Sequence, residues 1–327
     1  MRLLKLVPDD TNIRFLRWRL PFYIVSLVLM AASWGAVLTN GLNLGVDFVG
    51  GQMIRATFVE STEAPVADLR DDIAGLGYGA PIIQRFGQPN EVSIRMRLPE
   101  GQDSAQVKDL ADRMTNAIVT EMETNYPGVR IDGVDSVSGK VSSELFETGM
   151  LALLAAMVAI AIYIWVRFEW QFGVGALFAL IHDVSLTLGL FALTQMEFDL
   201  NIVAAILAII GYSLNDTIVV YDRIRENLKK FRKMPMEELL DLSVNETLPR
   251  TIMTSLTTLM VLVALMFIGP ATTFGFAAAI AFGIFVGTYS SIYMAAPILI
   301  WLRVNSDSFV PSESVADKQE KVARGEV

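Results

Sequence analysis

The chain has 327 residues, of which 53% are hydrophobic and 19% charged, and it carries a formal net charge of -9 and no cysteine. The absence of cysteine excludes a disulfide scaffold and a cysteine-ligated metal site, and the high hydrophobic content excludes a disordered chain. The apolar residues are gathered into six runs of about 18 or more residues, long enough to cross a hydrocarbon core of about 30 Å.

The N-terminal segment, 1–20, is basic and precedes the first apolar run at 21–38. Because Lys and Arg accumulate on the cytoplasmic side of membrane spans, we predict a cytoplasmic N-terminus followed by transmembrane helix 1. A cleaved signal peptide is the alternative, since Arg14, Arg17 and Arg19 stand directly before the run. Five further apolar runs follow, and they favour a permanent span.

Segment 39–148 is predicted to fold as a periplasmic domain between the first and second spans. Alternating hydrophobicity predicts strands at 51–59, 81–86, 91–98 and 128–137, and helical spacing predicts helices at 64–76 and 104–124. The order β-α-β-β-α-β is typical of the ferredoxin-like α+β fold. That fold hosts many unrelated activities and decides no function by itself.

The remaining spans are predicted at 149–166, 171–193, 200–221, 251–268 and 274–302. The fold class is therefore an α-helical polytopic membrane protein with six transmembrane helices and a ferredoxin-like domain between helices 1 and 2. Basic residues concentrate in segment 222–250 and in the tail, 303–327, which predicts that both are cytoplasmic. We expect the amphipathic stretch 236–248 to lie along the membrane interface and Pro249 to begin the fifth span.

Asp216 is the most informative intramembrane residue, because an ionised carboxylate inside a span costs on the order of 2.5 to 3.5 kcal/mol. We expect it to be neutral, paired or next to water, with Ser213 and Asn215 as auxiliary polar neighbours. Arg250, which enters from the same side, is the expected charge partner, and such a pair suits proton coupling. The alternatives are a solvated end position for Asp216 and an arginine that snorkels to lipid phosphates.

A second polar pair, His182 and Asp183, falls near the centre of the third span. Adjacent residues on a helix point about 100° apart, so we expect no hydrogen-bonded dyad and a separate partner across the bundle for each. A structural bond between helices is one role for them, and a proton relay is the other.

Other sequence features indicate packing or exclude activities. Gly283 and Gly287 form a small-residue stripe that lets helices approach closely. There is one histidine, no nucleotide-binding or hydrolase motif, and little aromatic interleaving in the basic run at 223–233. We therefore predict no catalytic residues, no metal, no cofactor and no nucleic-acid binding.

Several strings resemble the SecF branch of the SecD/SecF family of bacterial protein-export membrane proteins, over about 14–302. One of them, just after the first span, contains Asp47, Phe48, Gly50 and Gly51. In full, the strings are DFVGG at 47–51, IHDV at 181–184, GYSLNDTIVV at 211–220, DRIREN at 222–227, NETLPRT at 245–251 and GTYSS at 287–291.

The resemblance implies a six-span half of a twelve-helix bundle of the resistance-nodulation-division (RND) superfamily in the bacterial inner membrane. It implies SecD as the opposing half, YajC and the SecYEG channel as further partners, and an unfolded preprotein as the cargo moved by the proton motive force. Asp216 matches the essential membrane aspartate of the family, and Arg250 matches an arginine near its proton path. No role is carried over to His182 and Asp183.

Two other functions stay open from the sequence. The first is a proton-coupled exporter of lipids or small hydrophobic molecules, an activity of the same superfamily, which would work without the secretion channel. The second is a non-conducting assembly subunit, which would tolerate neutral substitutions at Asp216 and Arg250 and fail when Gly283 or Gly287 is enlarged.

Overall fold

The structure is a computed structural model, and it describes Pro8 and residues 11–85, 87–98 and 104–304. Within this part, six helices are long and apolar enough to cross a membrane. The five continuous ones are α1 (Arg19–Asn40), α5 (Gly139–Arg167), α6 (Trp170–Thr194), α7 (Leu200–Lys230) and α8 (Met236–Ile268). The sixth consists of α9 (Phe274–Ser290), a π-helical turn (Ser291–Ala295) and α10 (Ala296–Trp301).

Helices α6, α7 and α9 form the centre of the bundle, and about half or more of each apolar segment is buried. Helices α1, α5 and α8 expose most of their apolar side chains, which makes them the outer layer. Small residues allow the close contacts at the centre: a Cβ atom at Gly189 of α6 would overlap Ser33 of α1.

The α+β domain follows α1 through a single helical turn, α2 (Val46–Val49). Its elements in chain order are β1 (Gly51–Phe58), α3 (Val66–Gly75), β2 (Ile82–Arg85), β3 (Glu91–Met96), α4 (Ser104–Asn125) and β4 (Val129–Val137). The sheet order is β2-β3-β1-β4, and all neighbouring strands are antiparallel. This confirms the predicted ferredoxin-like fold, although Phe86, the predicted end of the second strand, lies outside the described residues.

Alternation along the strands places one face of the sheet against α3 and α4 and leaves the other polar. Ile54, Ala56 and Ile94 of the sheet pack on Leu69 of α3 and Ile118 of α4, and all five are almost fully buried.

The polar face of the sheet meets the end of the bundle through Asn43. Its side chain donates to Gln84 at 2.8 Å and accepts from Arg95 Nη2 at 2.7 Å, and Arg95 also donates to the carbonyl of Leu44.

Three helix boundaries differ from the sequence prediction. Helix α5 begins at Gly139, ten residues before the predicted span, because Ser138 caps it by accepting from Val141 N. Segment 222–250, predicted as a loop, is helical except near 231–235, since α7 runs on to Lys230 and α8 already begins at Met236. The predicted tail is described only as far as Val304, and the rest of it, 305–327, lies outside the described residues.

One expectation for the fifth span is wrong. Pro249 lies inside α8, thirteen residues after its first residue, and does not begin the helix. Stretch 236–248 forms the first turns of α8, and its buried face packs on α7. Asn245 in this stretch also exchanges two hydrogen bonds with the backbone of Ile13, at 2.9 and 2.8 Å, so the N-terminal segment covers it.

Candidate functional site

The carboxylate of Asp216 is buried where three helical segments meet, with 6% of the residue exposed. Thr251 Oγ1 of α8 donates to one carboxylate oxygen at 2.6 Å, and Ser291 Oγ of the π-helical turn donates to the other at 2.7 Å. The side chain therefore holds α7, α8 and the sixth span together through hydroxyl groups alone.

Arg250, the expected charge partner of Asp216, is exposed on α8. Among the described residues, no ion pair within 4 Å joins it to Asp216, although the two groups are close enough to interact electrostatically. Arg250 directly precedes Thr251 on the continuous helix α8. Thr251 is buried, whereas the side chain of Arg250 points away from the buried side of the helix. The structure thus places the arginine beside the carboxylate without a direct bond.

His182 and Asp183 are both fully buried on α6, and they do form a hydrogen-bonded dyad, contrary to the sequence prediction. His182 Nδ1 lies 2.9 Å from Asp183 Oδ1. The helical angle fixes only the directions of the two Cβ atoms. Rotation about the side-chain bonds brings the ring nitrogen and the carboxylate together over the helix surface.

Asp183 also joins helices across the bundle. Its Oδ2 atom accepts from Ser213 Oγ of α7 at 2.5 Å and from Ser290 Oγ at the end of α9 at 2.9 Å. Ser213 is one helical turn before Asp216, and Ser290 directly precedes Ser291. The two buried carboxylates therefore share the same two neighbouring segments.

The polar residues that sequence reasoning missed are Thr251, Ser290 and Ser291. All three are small hydroxyl residues in apolar spans, where such side chains commonly bond between helices. The Ser-Ser pair in the string GTYSS was the available signal. Adjacent residues of a helix point about 100° apart, so the two serines can reach carboxylates of different helices.

The π-helical turn begins at Ser291, and two tyrosines donate to carbonyls near its end. Tyr23 of α1 donates to the carbonyl of Met294 at 2.9 Å, and Tyr221 of α7 donates to that of Ala295 at 3.0 Å. Pro297, just after the turn, has no N–H group to offer a carbonyl in the preceding turn. The two tyrosine hydroxyls connect this irregular turn to α1 and α7, and π-helical turns often occur at functional sites.

The other predicted intramembrane residues occupy different surroundings. Asn215 is exposed on α7 and does not join the buried network. Gly287 of α9 lies against Ser213, since an added Cβ atom would be 3.1 Å from the Cβ of that serine. At Gly283, an added Cβ would overlap three side-chain atoms of Ile209.

The motif after helix 1 connects the α+β domain to the bundle. Asp47 accepts from the backbone N–H of Leu200 at 3.0 Å, at the N-terminus of α7, where a carboxylate is favoured by the helix dipole. Phe48 packs against Phe146 and Phe198, with ring centroids 5.7 and 6.0 Å away.

Gly50 and Gly51 have φ values of 67° and 123°, in a region that side chains disfavour. A Cβ at Gly50 would be 3.0 Å from the Cα of Gly139, and one at Gly51 would overlap the carbonyl oxygen of Met96.

Glu197 lies outside the spans, between α6 and α7, and its carboxyl group has a perturbed pKa that no sequence pattern indicated. Burial raises its pKa from 4.5 to about 7, opposed by the positive charges of Arg95 and Arg55 and assisted by the carboxylates of Asp199 and Asp47. Its Oε1 atom is buried, and no hydrogen-bond partner for it is found among the described residues. In the same described part, no cluster of three His, Asp or Glu side chains could hold a metal ion.

Two family models and several known proteins match most of the chain. Residues 117–305 match the family model described as protein export membrane protein SecD/SecF, C-terminal, and residues 35–61 match the SecD/SecF GG motif. The chain is 44% identical over 320 residues to the protein translocase subunit SecF of Rhodobacter capsulatus, with 95% of each chain covered. It is 46% identical over 307 residues to that of Cereibacter sphaeroides, covering 92% of this chain and 93% of the relative.

Two solved structures are also similar. One is SecDF, a translocon-associated membrane protein from Thermus, with a TM-score of 0.79 and 33% identity over 90% of this chain. The other is SecDF in a super-membrane-facing form, with a TM-score of 0.66 and 32% identity over 93% of this chain. The chain spans 39% and 40% of the length of these two SecDF chains.

Proposed function

The chain belongs to the SecD/SecF family of protein-export membrane proteins, as a SecF-type translocase subunit, and from that premise we propose that it couples proton movement to late steps of preprotein translocation. In this proposal, Asp216 takes up and releases the proton. The exported α+β domain then moves relative to the membrane and holds or pulls the preprotein emerging from the SecYEG channel.

The observation that carries the proposal is the set of partners of Asp216. A buried carboxylate inside a span is costly, and hydrogen-bond donors or uptake of a proton offset that cost. Asp216 has two hydroxyl donors, Thr251 and Ser291, and an arginine nearby that does not bond to it. A hydroxyl can donate to the carboxylate or accept from the carboxylic acid, so both protonation states can be accommodated.

Polar groups on the adjoining surface support a membrane partner. Asn215 on α7, and Arg250 and Thr254 on α8, are exposed on segments long and apolar enough to span a membrane. Lipid covers such groups poorly, whereas a second helical bundle or trapped water satisfies them. We propose that SecD covers this surface and completes a twelve-helix bundle of the RND type, placing its own polar groups opposite Asp216 and Arg250.

The proton motive force is large enough for this role. One charge that crosses a potential of 100 mV contributes about 2.3 kcal/mol, which biases a two-state rearrangement by roughly fiftyfold. Four segments meet at the two buried carboxylates, so a change in charge there would act on their relative positions.

The proposed location is the bacterial inner membrane, with both termini in the cytoplasm and the α+β domain in the periplasm. Basic residues support this orientation, because they concentrate at the end of the bundle opposite the α+β domain, at Arg223, Lys229 and Lys230 for example. YajC, SecYEG and preprotein remain proposed partners on the strength of family membership.

The decisive experiment is Asp216→Asn in vesicles that contain the assembled complex with SecD and the channel. We expect loss of proton-gradient-stimulated preprotein completion, because the amide keeps the size of the side chain and cannot exchange a proton. Asp222→Asn is the matched control, since Asp222 lies on the same helix but is exposed, 3.4 Å from Arg167. Normal stimulation by the Asp216→Asn complex would overturn the proposal.

A further inference from the structure

The proposed function leaves the second buried carboxylate, Asp183 of α6, without a role. It is fully buried and held by three side chains from its own helix, α7 and α9. Its neighbour His182 has a buried Nε2 atom with no hydrogen-bond partner in the described part of the chain. A buried polar centre in a membrane bundle is costly, and the hydrogen bonds around Asp183 indicate what stabilises it.

The hydrogen bonds at Asp183 have one consistent direction. Both serine hydroxyls, of Ser213 and Ser290, can donate to Oδ2, and His182 can donate to Oδ1 through Nδ1–H. This places the ring proton on Nδ1 and leaves Nε2 as the unpaired atom. His182 therefore orients one carboxylate oxygen, which directs the other toward α7 and α9.

The connection to Asp216 runs through two consecutive serines. Ser290 is the last residue of α9 and donates to Asp183, and Ser291 is the first residue of the π-helical turn and donates to Asp216. A shift of Ser290 away from Asp183 would rotate the peptide that carries Ser291. The same shift would also loosen Ser213, which lies one turn before Asp216 on α7.

Building on the proposed function, we propose that Asp183 is a positioning residue for the proton-coupling site. It fixes Ser213 and Ser290 so that Ser291 presents its hydroxyl to Asp216. Asp183 itself does not exchange the transported proton, and His182 sets the direction of its carboxylate. Without this anchor, the irregular turn has one fewer bond to define its rotation, and the Ser291 hydroxyl leaves Asp216.

The test measures the hydrogen bonding of Asp216 directly, by infrared difference spectroscopy between acid and alkaline conditions on the assembled complex. The carboxyl C=O band of Asp216 is assigned by its loss in Asp216→Asn. Ser290→Ala is the main variant, because it removes only the hydroxyl that reaches Asp183. Asp183→Asn is the second, and Ser185→Ala is the matched control, since that buried α6 hydroxyl accepts from Trp34 of α1 at 3.2 Å.

We expect the Asp216 band to move to higher frequency in Ser290→Ala, because a weaker hydrogen bond strengthens the C=O bond. We also expect proton-gradient-stimulated completion to fall about tenfold, the effect of losing one hydrogen bond to a charged group. Ser185→Ala should leave both unchanged. An unmoved band in assembled Ser290→Ala overturns the proposal, whatever happens to Asp183→Asn.

The two proposals fail in different ways. Normal stimulation in Asp216→Asn would refute the proposed function, while the infrared band would still report whether Asp183 positions Ser291. Loss of stimulation in Asp216→Asn, together with full stimulation and an unmoved band in Ser290→Ala, would refute the positioning role alone.

Discussion

Replacement of Glu197 by glutamine should strengthen the contact between the two loops that join the α+β domain to the bundle. Two backbone hydrogen bonds define this contact, Gly45 N to the Phe198 carbonyl and Phe198 N to the Asn43 carbonyl, both 2.8 Å. Glu197 lies directly beside them, because an added Cβ at Gly45 would be 2.9 Å from its Oε1 atom.

The size of the effect follows from the pKa of Glu197, which burial raises from 4.5 to about 7. Since one pKa unit is about 1.36 kcal/mol, the ionised side chain disfavours the closed contact by no more than about 3 to 4 kcal/mol, and by about 2 kcal/mol after an allowance for partial solvent exposure. The raised pKa sets the sign. The contact is most stable below pH 4.5, and it loses this stability as the pH rises to about 7.

Hydrogen–deuterium exchange at the amides of Gly45 and Phe198 measures this local opening. With intrinsic rates corrected for pH, the unaltered protein should lose about tenfold in protection between pH 5 and pH 8, because part of the roughly 2 kcal/mol is already lost at pH 5. Glu197→Gln should keep its protection throughout, because glutamine cannot ionise. Glu147→Gln, at an exposed position on α5, should behave as the unaltered protein. An equal loss of protection in Glu197→Gln would show that another group causes it.

Three further substitutions test other contacts. Gly283→Ala should lower the stability of the bundle by about 1 to 3 kcal/mol in detergent unfolding, because the β-branched side chain of Ile209 cannot easily change rotamer to make room. Gly35→Ala is the control and should be neutral, since nothing lies within 4 Å of the added methyl group. Tyr221→Phe should lower the free energy of unfolding by about 1 kcal/mol and speed proteolysis near the π-helical turn, since the buried carbonyl of Ala295 loses the tyrosine donor. Unchanged proteolysis would contradict this role of Tyr221. Asp47→Asn should cost about 0.5 to 1 kcal/mol at the start of α7, and the cost should shrink in high salt if the helix dipole is its cause.

The parts of the fold that follow from local periodicity were predictable. Six spans and the β-α-β-β-α-β order were both read from hydrophobic spacing, because each element buries one face with a regular period. The helix boundaries were less predictable from hydrophobic spacing. Pro249 was expected to begin a helix, yet α8 continues through it, because packing on α7 and on the N-terminal segment stabilises the turns before the proline.

The site was predictable as a set of residue types and not as a set of contacts. Asp216 stood out because a charge in an apolar run is costly, whereas its partners Thr251 and Ser291 are ordinary small residues that only the packing brings near. The His182–Asp183 bond was missed because a helical wheel describes Cβ directions and ignores side-chain rotation. The π-helical turn left no periodic signal, since one extra residue in a uniformly apolar run is invisible to hydropathy.

The glycine pair after helix 1 has a mechanical consequence. The chain enters the α+β domain at Gly51 and leaves it at Val137, and these two residues are paired neighbours in the sheet. The domain is therefore attached to the bundle at one point, the pivot, where Gly50 lies against Gly139. The hydrogen bonds of Asn43 to Gln84 and Arg95, which we call the brace, hold the angle of the domain at this point. Strand β1 extends about 26 Å from the pivot at roughly 3.3 Å per residue, so a turn of about 10° would displace its far end by about 5 Å. A shift of about 1 Å at Arg95, which pairs with Met53 two residues from Gly51, would thus become a step longer than one residue of extended chain.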